Sequence, residues 1–109
     1  MKVDILGTKY SVEEKIVEED KMLNECDGYC DWTTHSIIIR KEAVGNLGDM
    51  DEYVKKVKRH EIVHAFMFES GLAHSSCSVD SWAVNEEMVD WFAFNGKKVY
   101  KAWEQAKAI

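Results

Sequence analysis

Apolar positions alternate between two periods along this chain, and the switches between them mark the elements. Residues 2–6 lean towards strand and end at Gly7-Thr8, a turn signal; Tyr10 and Val12 then alternate with polar neighbours, so a β-hairpin is expected there. A helix starting at Ser11 competes with it, because Ser11 and Glu14 form an S-x-x-E capping pair. An acidic segment follows, with Glu13, Glu14, Glu18, Glu19 and Asp20, read as a solvated helix or loop face. Asp27-Gly28 breaks it. Residues 29–33 and 36–40 form two further strands around a tight turn near Thr34-His35, and Ile37-Ile38-Ile39 is the most strand-prone run in the chain.

The period then changes to 3.6. Asp49 is a good N-cap with Glu52 three residues on, and Ser70-Gly71 closes the helical pattern at about Glu69. Met50, Tyr53, Val57, His60, Glu61, His64 and Phe68 share one face, while Lys55, Lys56, Lys58 and Arg59 lie off it. The expectation is that this shared face is the buried one. A polar loop over 72–80 leads to a second helix over 81–95, stopped or bent at Gly96. A third, amphipathic helix over 97–109 repeats apolar residues at Val99, Trp103 and Ala106.

Inside the central helix stands His60-Glu61-Ile62-Val63-His64, an H-E-x-x-H pattern. Residues four apart stack on one helical face, so His60 and His64 can hold one metal ion together. Glu61 is turned by about a hundred degrees from His60, beside the metal, where it can take a proton from water rather than ligate. Chance produces such a pattern in roughly 1–2% of shuffled chains of this composition, so a third ligand matters. Residues 85–90, Asn-Glu-Glu-Met-Val-Asp, supply one. Glu86 and Asp90 share a face flanked by Ala83 and Ala93, which lets this helix approach the first closely. Glu86 is the expected third ligand, and Asp90 the carboxylate that holds the outer N–H of a ligating histidine. Glu87, Asp80 and His74 are weaker competitors. The longer pattern with a third histidine fails, since Met67 and Ser70 stand at its Gly and His positions.

Composition narrows the surroundings. The 109 residues fit a single domain, 1–109, with 46% hydrophobic and 31% charged residues as in an ordinary globular protein. A net charge of −6 argues against a basic nucleic-acid surface. No apolar run is long enough for a membrane span and none reads as a signal peptide, so no membrane partner and a cytoplasmic setting are expected. Cys26, Cys30 and Cys77 read as reduced thiols; Cys26 and Cys30 as half of a second metal site is the rarer alternative. The four tryptophans read as core or interface. The oligomeric state is left open.

H-E-x-x-H followed by N-E-x-x-x-D resembles the gluzincin peptidases in compact form. The opening residues 6–14, the stretch 27–40 ending in its Ile-rich strand, and His60 to Phe66 with Glu69-Ser70-Gly71-Leu72 after it are similar to small phage- or prophage-type zincins, the minimal gluzincin domain. More distantly the chain resembles the ImmA/IrrE metallopeptidases, which it matches at Phe92-Ala93 and leaves at Phe94-Asn95-Gly96.

The resemblance implies an α+β, compact zincin-like (minigluzincin) domain: a small antiparallel sheet packed on an active-site helix and a third-ligand helix. It implies a Zn2+ cofactor, hydrolysis of a peptide or protein substrate with Glu61 as general base, and an edge strand beside the cleft that pairs with substrate. The strand over 36–40 or its hairpin partner is the candidate for that edge. His74, His35, Tyr29 and Tyr53 are available to steady an oxyanion. The alternative is a catalytically weak or inactive zincin-fold module that serves binding or regulation, and a third reading is a metal-free helical interaction domain.

Overall fold

The computed structural model describes residues 1–75 and 86–109, apart from the side chains of Ser75, Glu86, Val89, Asp90 and Ala93. Four strands come first: β1 (Lys2–Ile5), β2 (Thr8–Lys15), β3 (Gly28–Asp31) and β4 (Ser36–Arg40). Three helices follow: α1 (Met50–Glu69), α2 (Leu72–Ser75) and α3 (Glu86–Gln105). The strands form one α+β sheet in the order β1-β2-β4-β3.

β1 and β2 form the expected hairpin, and strand geometry continues through Ser11 to Lys15. The rival helix fails because Tyr10 and Val12 bury on one face of that strand, a period-2 burial that outweighs a local cap. Leu6 and Gly7 make the two-residue turn, both at positive φ (52° and 94°), a conformation that matches strand twist. β3 and β4 are antiparallel, but β2 and β4 run parallel, with Val12 opposite Ile37. The sheet is therefore mixed rather than antiparallel. The acidic segment explains this: it crosses from the end of β2 to the start of β3 through a 3-10 turn at Lys21–Asn24, capped by the Asp20 side chain. The hairpin β3–β4 then inserts with β4 next to β2 and β3 at the edge.

All three isoleucines of β4 are buried. Ile37 and Ile39 face the main core with Val3, Ile5, Tyr10 and Val12. Ile38 and Arg40 point the other way, by strand alternation, where Arg40 donates to the carbonyl of Leu23 at 3.2 Å and Leu23 itself is fully buried. The 3-10 turn thus covers the second face of the sheet.

α1 begins where expected. Asp49 accepts from the Glu52 backbone N–H at 3.0 Å, and Ser70 with Gly71 at φ 83° ends the helix. Its rotation differs from expectation. Val57, Lys58, Glu61, Ile62, Ala65 and Phe66 are the buried positions, and His60 and His64 are exposed. Lys58 joins the buried face because its long aliphatic stem packs while its ammonium reaches the Ala106 carbonyl at 3.4 Å. The apolar stripe is thereby turned away from the histidines.

α3 is one helix through Gly96, not two; of the helix expected over 81–95, residues 81–85 lie outside the described residues. A mid-helix glycine costs about 1 kcal/mol without breaking the helix. Here Met88, Val99, Ala102 and Ala106 keep one buried stripe in phase across it. α3 packs on α1 and β1. Among the described residues no helix is long and apolar enough to cross a membrane.

Two glycines test this packing. A Cβ at Gly96 would meet nothing within 4 Å, so Gly96→Ala should stabilise the fold by about 0.5–1 kcal/mol in urea denaturation. A Cβ at Gly28 would lie 2.9 Å from Val57 Cγ1 and 3.2 Å from the Ile38 carbonyl, so Gly28→Ala should destabilise it by about 1–3 kcal/mol.

Candidate metal centre

His60 and His64 sit one turn apart on the outer edge of α1, and their Nε2 atoms face each other at 3.0 Å. The rings meet edge to face, with centroids 4.7 Å apart. Two imidazolium groups could not tolerate this approach, since both facing nitrogens would carry protons. Partial desolvation, and then the neighbouring His60, hold the His64 imidazole below its ordinary value, which favours the neutral ring a metal ligand must present. Two nitrogens bound tetrahedrally at 2.0–2.1 Å from zinc lie roughly 3.3 Å apart, close to the spacing found here. The pair thus fits the two-histidine half of a zinc site. With Val63 and Met67 the two rings line an open hollow of about 380 Å³.

Glu61 follows His60 in sequence but points inward, towards β3. It is 8% exposed and has no hydrogen-bond partner among the described residues. Burial pushes its carboxyl up to about 7 from 4.5, against a weak opposing pull from Lys56. Its field in turn helps to raise the thiols of Cys26 and Cys30, after desolvation; Cys30 reaches about 12. Both thiols are free, and raised in this way they stay protonated at neutral pH.

The third-ligand position is only partly described. Among the described residues no group of three or more His, Cys, Asp or Glu side chains is gathered to hold a metal ion. Glu86 is on α3 and Asp90 lies one turn on, but their side chains fall outside the described residues, as does Asp80. Two contacts place the first turns of α3 against the end of α1: Trp91 Nε1 donates to Ser70 Oγ at 2.8 Å, and Phe66 meets the Trp91 ring edge-on at 6.3 Å. Glu87 is exposed. His74, on α2, is packed against Trp32 and Phe68, with centroids at 5.0 Å and 5.7 Å.

Three of the groups available for an oxyanion are engaged elsewhere. The Tyr29 hydroxyl donates to Asp20 and the Tyr53 hydroxyl to Asp27. His35 lies 3.8 Å from Glu69 and against the Tyr10 ring. Glu69 is a residue that sequence reasoning passed over. Its carboxylate accepts from Tyr10 at 2.8 Å and from Thr8 at 3.1 Å, so it ties the end of α1 to the first hairpin. No local motif announces such a bond, because its partners lie about sixty residues away.

Burial of Glu61 has a measurable consequence. The folded chain binds its proton more tightly than the unfolded chain, so the associated stability is full below pH 4.5 and is lost as pH rises through about 7. In metal-free protein, held so by chelator, the loss should be on the order of 2–3 kcal/mol across that window. Glu61→Gln, which stays neutral, should flatten the profile of denaturation midpoint against pH.

Comparison of the chain with protein-family models, with curated proteins and with solved structures gave no match in any of the three.

Proposed function

We propose that this domain is a zinc-dependent metallopeptidase of gluzincin type that cleaves a peptide or protein substrate. The observation that carries the reading is the pairing of two converging imidazole nitrogens with a largely buried glutamate at the next residue, which has no hydrogen-bond partner among the described residues. A buried carboxyl without a hydrogen bond costs stability. A purely structural two-histidine site has no use for it, whereas a hydrolytic site does.

In this reading His60 and His64 hold the metal through Nε2, Glu86 completes the ligand set, and Asp90 orients one imidazole from behind. When bound, zinc supplies a Lewis acid that acidifies water and polarises a carbonyl. Glu61 takes the proton from the attacking water and delivers it to the leaving amine. Its burial suits this role, since a carboxyl with a proton affinity matched to neutral pH can both accept and release.

β3 supports the choice of an extended peptide as substrate. It is an edge strand, hydrogen-bonded on one side to β4, and it lies over α1 beside Glu61. Among the described residues no strand pairs with its other side, and an extended chain added there would gain main-chain hydrogen bonds. β4 is enclosed between β2 and β3, so the hairpin partner is the strand that takes this part.

Metal analysis is the decisive measurement. Wild-type protein purified without chelator should carry about one zinc per chain, with marked loss in His64→Ala and in Glu86→Ala. Zinc lost only in the histidine variant would move the third ligand to Asp80, His74 or Glu87. No metal in wild type would remove the proposal. Glu61→Gln should keep its zinc and lose peptide hydrolysis by about 100-fold or more; unchanged turnover would remove Glu61 as the base.

A further inference from the structure

Away from the histidines, the ends of the sheet, α1 and α3 enclose a second hollow of about 540 Å³. Lys41, Lys55, Lys58 and Lys107 line it, together with Glu14 and Asp51. Four lysines in one concavity run against a chain whose net charge is −6. Among the described residues none of the four ammonium groups has a carboxylate within 4.0 Å; the ion pairs present are Lys15–Glu13, His35–Glu69 and Arg59–Glu52. Glu14 and Asp51 are exposed, as are Lys41, Lys55 and Lys107, so water screens these charges alike and Lys58 alone is buried.

Two of these lysines are held there at a cost. Lys58 is 8% exposed, and its ammonium makes one long bond, 3.4 Å, to the neutral Ala106 carbonyl. The C-terminal end of α3 offers it about half a compensating charge, and two of its three donors stay unused.

Lys107 is the second. The Ala108 N–H returns to the Trp103 carbonyl at 2.9 Å and the Lys107 N–H to the Glu104 carbonyl at 3.0 Å, which is the Schellman closure of α3. Lys107 stands at the left-handed position of that closure, with φ 55°, where glycine is strongly favoured. A buried lysine and a lysine in glycine's place thus line one hollow.

We infer that this hollow is a binding site for a small multivalent oxyanion of the phosphate class. The lysines that line it, drawn from the ends of the sheet, α1 and the close of α3, would supply charge-assisted hydrogen bonds, and the volume exceeds that of a single phosphate. The inference stands apart from the metal reading, because it uses none of the residues of that site.

Titration calorimetry with inorganic pyrophosphate, at ionic strength held constant with sodium chloride, tests it on the full chain. One saturable site is expected, weakening as salt is raised. Lys107→Gly is the diagnostic variant. It should raise the melting temperature of the ligand-free protein by roughly 2–5 °C, by relieving the left-handed lysine, while weakening pyrophosphate about tenfold. Lys58→Met should weaken binding at least as much. A His60→Ala/His64→Ala double variant should bind as wild type does, which separates the hollow from chelation of a metal. Absence of binding, unchanged affinity in Lys107→Gly, or loss of binding in the histidine double variant would each overturn the inference.

Discussion

The close approach of α1 to the edge of the sheet governs the rest of the structure. Gly28 opens β3, and its missing Cβ leaves the space that Val57 Cγ1 fills. With Val57 seated there, the rotation of α1 is set. Ile62, Ala65 and Phe66 turn into the core, Glu61 turns under β3, and His60 and His64 emerge along the rim. The buried residues Val57, Lys58, Glu61, Ile62, Ala65 and Phe66 span one arc of α1, and His60 and His64 fall just beyond its margin. The exposed histidines and the buried glutamate are thus two results of one packing decision.

The same constraint explains what sequence could and could not reveal. The start of α1 was legible because Asp49 acts locally, on an N–H three residues away. The histidine pair was legible because i,i+4 spacing alone brings two side chains together. The rotation of the helix was not. The expected face ran through Val57, His60, Glu61 and His64, and Lys58 was set aside as solvated. Burial of a lysine stem depends on a distant carbonyl, Ala106, that no window around residue 58 contains. Gly96 misled for a related reason. A local breaker was weighed above the phase of Met88, Val99 and Ala102, although the same three residues keep their register across it. The parallel pairing of β2 with β4 was also hidden, because it follows from a crossover whose only regular element is a 3-10 turn. The third-ligand pair, Glu86 and Asp90, was read from spacing alone; both lie on α3, one turn apart.

Glu61 gathers the energetic tension in the molecule. Val57, Ile62 and Ala65 near it on the buried face are apolar, and a leucine or methionine there would serve the core without a pH-dependent penalty. Cys30 and Asp31 beside it on β3 offer no cation, and Lys56 acts only weakly. A carboxyl kept in such a place near neutrality can hold a proton in one state and release it in the next. That is the property a hydrolytic base needs, and it is obtained by desolvation rather than by a partner.

What positions α3 relative to this site is a pair of clamps at opposite ends of the two long helices. At one end Trp91 and Ser70, with Phe66 beneath, hold the opening turns of α3 to the close of α1. At the other, Lys58 and Arg59 bind the carbonyls of Ala106 and Ala108, and Trp103 Nε1 donates to the Arg59 carbonyl at 3.3 Å. Any ligand set that draws one residue from α3 and two from α1 therefore depends on both ends. The lysine hollow belongs to the second clamp, since Lys58 lines the one and ties the other. An anion drawing the Lys58 ammonium away from Ala106 would loosen the grip on the end of α3 while adding a bridge between α1 and Lys107.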